Sequence, residues 1–158
     1  MLLHYNNFIN VSGIGGQTMV QIIAGDKGKG KTKELLDKVN TAILSATGNI
    51  VYLDKSQKHM HELSNKVRLI NVTEYPITNL GEFLGFICGI ISQDYDLQEM
   101  YLDSFLTIGC ISTDEEICHA IEKLDVISEK YGVLFVLSVS RDAEDLPECA
   151  KGKLIVSL

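Results

Sequence analysis

Apolar positions along the chain fall into short continuous runs that alternate with segments of helical periodicity. The first run, residues 20–24, predicts a buried strand. A loop rich in glycine and lysine follows, and apolar side chains then recur at the spacing of one helix face. The members of that face are Leu35, Leu36, Val39, Ala42, Ile43 and Ala46. A strand, a polar loop and an amphipathic helix therefore open the patterned part of the chain.

The same patterns predict further strands and helices downstream. Strands are expected at residues 49–54, 67–72, 98–105, 133–139 and 154–158. Two capping boxes, Asn79 with Glu82 and Thr113 with Glu116, predict the starts of two helices. The first of these helices extends to about residue 92, and the second ends at Gly132. Residues 55–66 are predicted as a short polar helical connection.

Strands that alternate with helices predict right-handed crossovers and a mostly parallel sheet. The predicted fold is therefore α/β, with three layers (α/β/α) and a sheet of five or six strands. A chain of 158 residues is long enough for one such domain with a full core. We assign residues 19–158 to that domain and the polar, irregular residues 1–18 to a leader or N-terminal extension. The alternative for residues 2–9 is an edge strand laid on the domain.

The helix predicted after Asn79 carries glycines at four-residue spacing, at positions 81, 85 and 89. Each glycine within a helix costs about 1 kcal/mol relative to alanine, so a stripe of them favours a place of close packing. We expect this stripe to pack within the fold, and the alternative is contact with another subunit.

The loop after the first predicted strand fits the pattern G-x-x-x-x-G-K-[ST] at every fixed position. It lies between a strand and a helix, which is the context that separates a phosphate-binding loop from a chance match. Glycine allows the backbone angles that turn successive N–H groups toward an anion. The N-terminus of the following helix adds further N–H groups and the positive end of its dipole. The expected phosphate-binding residues are Gly25, Asp26, Lys27, Gly28, Lys29, Gly30, Lys31 and Thr32.

Two side chains of this loop have specific expected roles. Lys31 is placed to reach the terminal phosphates, and the Thr32 hydroxyl is placed to bind Mg²⁺. Lys27 and Lys29 add positive charge beside them in a chain that is otherwise acidic. The loop therefore predicts a site for a polyphosphate with magnesium.

The loop resembles the Walker A loop of P-loop NTPases, and the order of elements after it is similar to that of the RecA-like branch. A weaker similarity relates residues 33–36 (KELL) to thymidine-kinase-like proteins. The resemblance implies a P-loop nucleotide-binding domain that takes ATP or ADP with Mg²⁺. Adenine is the expected base, because residues 65–68 (NKVR) lack the aspartate of the guanine motif N-K-x-D.

A P-loop site needs a carboxylate for magnesium, usually at the end of a nearby apolar strand. Asp54 and Asp103 both end such strands. Strand pattern favours Asp54 slightly, whereas the chain order of RecA-like proteins favours Asp103. We take Asp103 as the metal ligand and, with Lys31, as the catalytic pair. In RecA-like and thymidine-kinase-like proteins an acidic residue often follows this aspartate as general base, but here Ser104 follows, which disfavours hydrolysis by that route.

The end of the strand predicted at 133–139 is where RecA-like proteins sense the γ-phosphate with a polar residue. Ser138, Ser140 and Arg141 stand there, and Arg141 is a candidate phosphate-sensing residue. The alternative is an arginine paired with the neighbouring Asp142 or Glu144.

His59 and His61 could suggest a metal site. At positions i and i+2 of a helix, however, two rings do not share a face. We therefore interpret both histidines as part of a solvated connection.

Composition narrows the class of protein. The chain is 46% hydrophobic and 22% charged, which is typical of a globular domain, and no apolar run approaches the ~20 residues of a membrane span. The formal net charge of −7 disfavours general nucleic-acid binding. The cysteines at 88, 110, 118 and 149 show no C-x-x-C or zinc-like spacing and predict reduced, largely buried thiols in a cytoplasmic protein.

Three functions follow from these residues. The first is a small ATPase, acting as a homo-oligomer or with a protein partner that completes the site. The second is a nucleotide-sensing module without efficient hydrolysis, which Ser104 favours. The third is a nucleoside kinase of the thymidine-kinase-like type, which is disfavoured because the chain lacks that family's zinc-ribbon cysteines.

Overall fold

Six parallel strands form one continuous sheet in the computed structural model, which describes residues 19–158. In chain order they are β1 (Val20–Ala24), β2 (Asn49–Asp54), β3 (Arg68–Asn71), β4 (Leu97–Leu102), β5 (Leu134–Val139) and β6 (Leu154–Ser157). Across the sheet the order is β3-β2-β4-β5-β1-β6. The prediction of an α/β fold with a mostly parallel sheet of five or six strands is confirmed. The predictions for residues 1–18 lie outside the described residues.

Helices join most of these strands. Within residues 19–158 the α-helices are α1 (Lys31–Ala42), α2 (Leu80–Ser92), α3 (Phe105–Ile108), α4 (Asp114–Tyr131) and α5 (Glu148–Lys151). Both predicted capping boxes are confirmed. The Asn79 side chain accepts from the Glu82 N–H at 2.9 Å, and the Thr113 hydroxyl accepts from the Glu116 N–H at 3.1 Å. Each bond satisfies an N–H of the first turn that no helical carbonyl can reach. None of the helices in this part of the chain is both long enough and apolar enough to cross a membrane.

Helices cover the sheet on both faces. On one face α1 packs through Leu35 and Val39 into an apolar cluster that includes Val136 of β5. On the opposite face α2 and α4 contact each other, and Phe83 and Leu124 belong to the larger apolar cluster. Both sides of the central strands are therefore removed from water, which is the main source of stability in a sheet of this kind. The result is three layers.

The structure corrects two predictions of local structure. Residues 55–66 form turns rather than a helix. The glycine stripe of α2 does not pack: apart from the adjoining residues and backbone of the same helix, a Cβ added at Gly85 or Gly89 would meet no atom of the described chain within 4 Å. Large apolar residues such as Phe83 and Ile87 form the buried face of this helix, and the glycines lie on its exposed side. The prediction of close packing within the fold is therefore wrong.

A disulfide joins Cys118 of α4 to Cys149 of α5, whereas Cys88 and Cys110 are free and exposed. The prediction of reduced and largely buried thiols is wrong. The fold packs α5 against α4 and so brings together two thiols that are 31 residues apart in sequence. The cytoplasmic location inferred with those thiols stays a prediction.

The strand order gathers several polar strand ends at one edge of the sheet. β5 lies between β1 and β4, with Ala24 level with Val139 and Leu102 level with Leu137. Because the strands are parallel, the loop after β1, the aspartate after β4 and the serines near the end of β5 leave the sheet at the same edge. Ligands of open parallel sheets bind beyond this carboxyl edge.

Candidate functional site

The loop after β1 bends back to the start of α1 through two glycines in the left-handed region. Gly28 has a φ of 82° and Gly30 a φ of 95°, values at which a residue with a Cβ is strained. Gly30 is also the N-cap of α1, and no side chain of the described residues caps this helix. The first N–H groups of α1 are therefore available to an anion.

At Gly25 the start of the loop lies close to Leu158. A Cβ on Gly25 would lie 3.0 Å from the Leu158 Cβ and 3.2 Å from its carbonyl oxygen. The Leu158 N–H donates to the Ala24 carbonyl at 2.9 Å, and the Gly25 N–H donates to the Val139 carbonyl at 3.3 Å. A side chain at position 25 would therefore be crowded by Leu158, the residue that follows β6.

Lys31 folds its side chain over the loop. Its Nζ donates to the carbonyl oxygen of Asp26 at 2.9 Å, and the residue is 8% exposed. Burial lowers the pKa of the Lys31 ammonium, while the nearby carboxylates of Asp103 and Asp26 act in the opposite direction. A phosphate group beside this cation would offset the cost of its desolvation.

Asp103, directly after β4, is 2% exposed, and both of its carboxylate oxygens are occupied. Oδ1 accepts from the Ser138 hydroxyl at 2.6 Å and from the Ser104 N–H at 2.9 Å. It also lies 3.3 Å from the donating Thr32 hydroxyl. Oδ2 accepts from the Tyr52 hydroxyl at 2.8 Å. Because these donors come from different segments of the fold, they hold the carboxylate in one orientation beside the loop.

The Tyr52 hydroxyl acts as a fixed donor in this network. Burial is the main cause, and the negative charge of Asp103 the next, that raises the pKa of Tyr52 far above its usual range. The hydroxyl therefore keeps its proton at neutral pH and is the donor in the hydrogen bond to Asp103.

Ser104 occupies the position directly after Asp103, where the resemblance implied an acidic residue. Its backbone lies in the left-handed region, with φ 53° and ψ 48°, which costs a residue with a Cβ about 1–2 kcal/mol. In that conformation its N–H donates both to Asp103 and, at 2.8 Å, to the Ser138 hydroxyl. The two bonds compensate for the unfavourable backbone, so Ser104 helps to fix the carboxylate.

Asp54, the competing candidate for magnesium, is differently placed. It is 2% exposed, its Oδ1 accepts from the Lys55 N–H at 2.7 Å, and its buried Oδ2 has no hydrogen-bond partner among the described residues. Burial raises the pKa of the Asp54 carboxyl. It does not line the cavity formed by the described residues around the loop. The geometry therefore favours Asp103 over Asp54 as the carboxylate beside Thr32.

A cavity of about 700 Å³ opens beside the loop, a volume within the usual range for small-molecule sites. Three groups of residues line it. The first is Lys27, Gly28, Gly30, Lys31 and Thr32 of the loop and the start of α1, and the second is Asp103, Ser104, Leu106 and Thr107, after β4 and in α3, with Ser138 and Ser140 at the end of β5. The third is Lys55, Lys58 and His59 from the connection after β2. The structure thus brings together most of the residues predicted for the site.

The third group was not predicted. His59 was assigned to a solvated connection, yet it lies in the cavity wall with Lys55 and Lys58. Their position just after the carboxyl end of β2 is the signal that could have identified them. Tyr52 was also missed, although a tyrosine within an aliphatic strand usually finds a hydrogen-bond partner when buried.

Arg141, the predicted phosphate sensor, lies elsewhere. Its guanidinium forms an ion pair with Asp114 at the start of α4, rather than with the neighbouring Asp142 or Glu144. It does not line the cavity of the described residues. Contact with a phosphate would require this ion pair to break, and the sensing role stays a prediction.

Two oxygen donors at the site suit a hard divalent cation, the Thr32 hydroxyl and the Asp103 carboxylate. Within residues 19–158, no group of three or more His, Cys, Asp or Glu side chains is arranged to hold a metal ion. A cation bound here would therefore take most of its ligands from a phosphate and from water.

No protein-family model matches the chain, and no curated protein sequence matches it either. What the cavity binds is therefore inferred from its own geometry and chemistry.

Proposed function

We propose that residues 19–158 form a P-loop nucleotide-binding domain of RecA-like topology, which binds ATP or ADP with Mg²⁺ and acts as a small ATPase. The observation that carries this proposal is the contact between Thr32 and Asp103, which are 71 positions apart in the chain. A hydroxyl and a carboxylate of this kind hold magnesium in phosphate-loop sites. Their oxygens lie 3.3 Å apart, close to the spacing of about 3 Å between adjacent ligands of an octahedral ion with bonds of 2.0–2.1 Å.

The order of the strands supports the same proposal. The RecA-like resemblance implies that the strand bearing the metal aspartate is followed by a helix and then by a central strand beside the first. In this sheet β4 leads to Asp103, α4 follows, and β5 lies between β4 and β1.

Local charge also supports a polyphosphate ligand. The chain has a net charge of −7, yet the titratable groups that line the cavity are four lysines, one histidine and the single carboxylate of Asp103. A cavity with an excess of cations in an acidic protein attracts an anion to that place and not to the surface in general.

Within this site each residue has a defined task. Lys31 exchanges the Asp26 carbonyl for phosphate oxygens, and the N–H groups at the start of α1 bind the phosphates nearer the nucleoside. Thr32 and Asp103 hold Mg²⁺, and Tyr52 and Ser138 keep that carboxylate in position. When bound, the ion neutralises charge on the β- and γ-phosphates.

Calorimetry with ADP and ATP in the presence of Mg²⁺ tests the binding site. Lys31→Ala should weaken ATP binding by about 10- to 100-fold, because a charge-assisted hydrogen bond contributes about 1.5–3 kcal/mol. The matched control is Lys33→Ala, an exposed lysine on the same helix, which should leave the affinity unchanged. If folded wild-type protein takes up neither nucleotide, the proposal is wrong.

The metal assignment has its own test. Asp103→Asn should weaken the Mg²⁺-dependent part of ATP binding, whereas Asp54→Asn should not, because Asp54 lies outside the cavity lining of the described residues. If only Asp54→Asn weakens it, the assignment of Asp103 is wrong.

A nucleotide sensor without efficient hydrolysis is the second candidate function. It is favoured by Ser104, whose hydroxyl cannot take a proton from water near neutral pH and whose N–H serves to orient Asp103. Phosphate release that depends on Lys31 would favour the ATPase. Binding of ATP without such release would favour the sensor.

A further inference from the structure

His59 lies in the wall of the candidate cavity together with Lys31, Thr32 and Asp103. Its Nδ1 is 2.9 Å from Oε1 of Glu62, three residues later. The His59 side chain is 21% exposed, whereas that of Glu62 is 62% exposed, so the ring is the more buried member of the pair. With Nδ1 bound to a carboxylate, Nε2 is the nitrogen that remains for a group in the cavity.

Few other groups of this lining could accept a proton from water near neutral pH. The lysines are cations, and both oxygens of Asp103 already accept hydrogen bonds. The Ser104 hydroxyl is too weak a base. Asp54 is buried outside the lining of the described residues. The imidazole of His59 is the remaining base.

We propose that His59, oriented by Glu62, is the general base of nucleotide hydrolysis at this site. The proposal rests on the proposed ATPase function. The oxygen of a water molecule forms a bond to the γ-phosphorus as the bond from that phosphorus to the β–γ bridging oxygen breaks. The bridging oxygen keeps the electron pair and leaves with ADP. The proton of the water passes to Nε2 of His59, and the imidazolium then releases it to solvent.

Charged groups of both signs surround this ring. The Glu62 carboxylate lies 2.9 Å from its Nδ1, and Asp54, at the end of β2, also interacts with it. The Glu62 carboxylate stabilises the imidazolium that forms during the reaction. The charged residues that line the cavity with His59 are Lys27, Lys31, Lys55, Lys58 and Asp103.

The test compares three variants of the full chain, His59→Gln, Glu62→Gln and the control His61→Gln. His61 is an exposed histidine of the same connection that does not line the cavity of the described residues. For each protein, ATP affinity is measured by calorimetry with Mg²⁺, and phosphate release is followed across a range of pH. Thermal unfolding verifies that each variant is folded.

His59→Gln should bind ATP as the wild type does but lower kcat by about 10²- to 10⁴-fold and remove the acid limb of the pH–rate profile. Glu62→Gln should lower kcat by roughly tenfold and move that limb to lower pH, since the imidazolium loses a stabilising carboxylate. His61→Gln should change neither quantity.

Three results would overturn the proposal: a His59→Gln protein with the wild-type kcat and pH profile, a His59→Gln protein that loses ATP affinity, and a wild-type protein that binds ATP without turning it over. A wild-type protein that binds no nucleotide would instead refute the proposed function on which this role depends.

Discussion

Replacing Asp54 by asparagine should stabilise the protein at neutral pH. The side chain is buried at the end of β2, where Oδ1 accepts from the Lys55 N–H at 2.7 Å and Oδ2 has no hydrogen-bond partner among the described residues. Burial raises the pKa of the Asp54 carboxyl. The Lys55 N–H opposes this rise, and the negative charge of Asp103 adds to it. The folded state therefore disfavours the ionised form.

The sign of the pH dependence follows from the raised pKa. Below the unfolded-state pKa of about 3.9, the carboxyl is protonated in both states and folding carries no penalty for its charge. As the pH rises through the folded-state pKa, the unfolded chain ionises more readily than the native one, and stability is lost. Asparagine does not ionise, so the advantage of Asp54→Asn should be small near pH 4 and should reach its full size once the pH exceeds the raised folded-state pKa of Asp54.

The expected gain comes from removing the buried negative charge and is about 1–3 kcal/mol, because one polar atom of the asparagine amide would still lie where Oδ2 has no hydrogen-bond partner among the described residues. For a chain of this size each kcal/mol corresponds to about 2–4 °C in Tm. Urea unfolding measured between about pH 4 and pH 8 gives the free energy directly. Because the chain contains no tryptophan, far-UV circular dichroism is the suitable signal.

Asp103→Asn is the matched control for this experiment. Both oxygens of Asp103 accept hydrogen bonds, and an asparagine can accept on one of them only. This variant should therefore lose stability while Asp54→Asn gains it. An Asp54→Asn protein that is less stable than wild type at pH 7, or whose gain does not change with pH, would refute the reasoning.

Three further predictions concern other parts of the fold. Gly85→Ala should raise the free energy of unfolding by about 0.5–1 kcal/mol in urea titrations, because alanine has the higher helix propensity and the new Cβ would contact no described residue beyond its own stretch of helix. A lower free energy of unfolding would show that this face is packed. Tyr52→Phe should lower stability by about 1–3 kcal/mol and weaken Mg²⁺-dependent ATP binding, since it removes the donor to Asp103 Oδ2. An unchanged ATP affinity in calorimetry would show that this hydrogen bond does not contribute to nucleotide binding. The double variant Cys118→Ser, Cys149→Ser should have a free energy of unfolding about 3–4 kcal/mol lower than that of the oxidised protein, because the disulfide closes a loop of 31 residues. Equal unfolding midpoints for the two proteins would contradict the presence of this disulfide.

Local patterns were sufficient to predict most of the secondary structure, including the strand, loop and helix that open the described chain. The strands predicted at 20–24 and 49–54 have the predicted bounds, and both capping boxes form their bonds. These features depend on residues within a few positions of one another, so their spacing is readable from the chain itself. The loop was recognisable for the same reason, because strand, glycines and helix are contiguous.

Contacts between distant residues were decided by the tertiary structure alone. The preference for Asp103 gains its physical basis from Tyr52 and Ser138, which reach it only because β4 lies between β2 and β5. The same arrangement places the connection after β2 beside the loop, so that His59 lines the cavity and is not simply a solvated residue.

Residue spacing also led to wrong predictions where tertiary packing decides which side chains are buried or in contact. The glycines of α2 have the period of a packed stripe, yet the larger apolar residues of that helix take the buried face. No local signal pairs Cys118 with Cys149, which meet because α5 packs against α4. A sequence determines which residues can form an element, whereas the order of strands and the choice of buried face determine which of those residues meet.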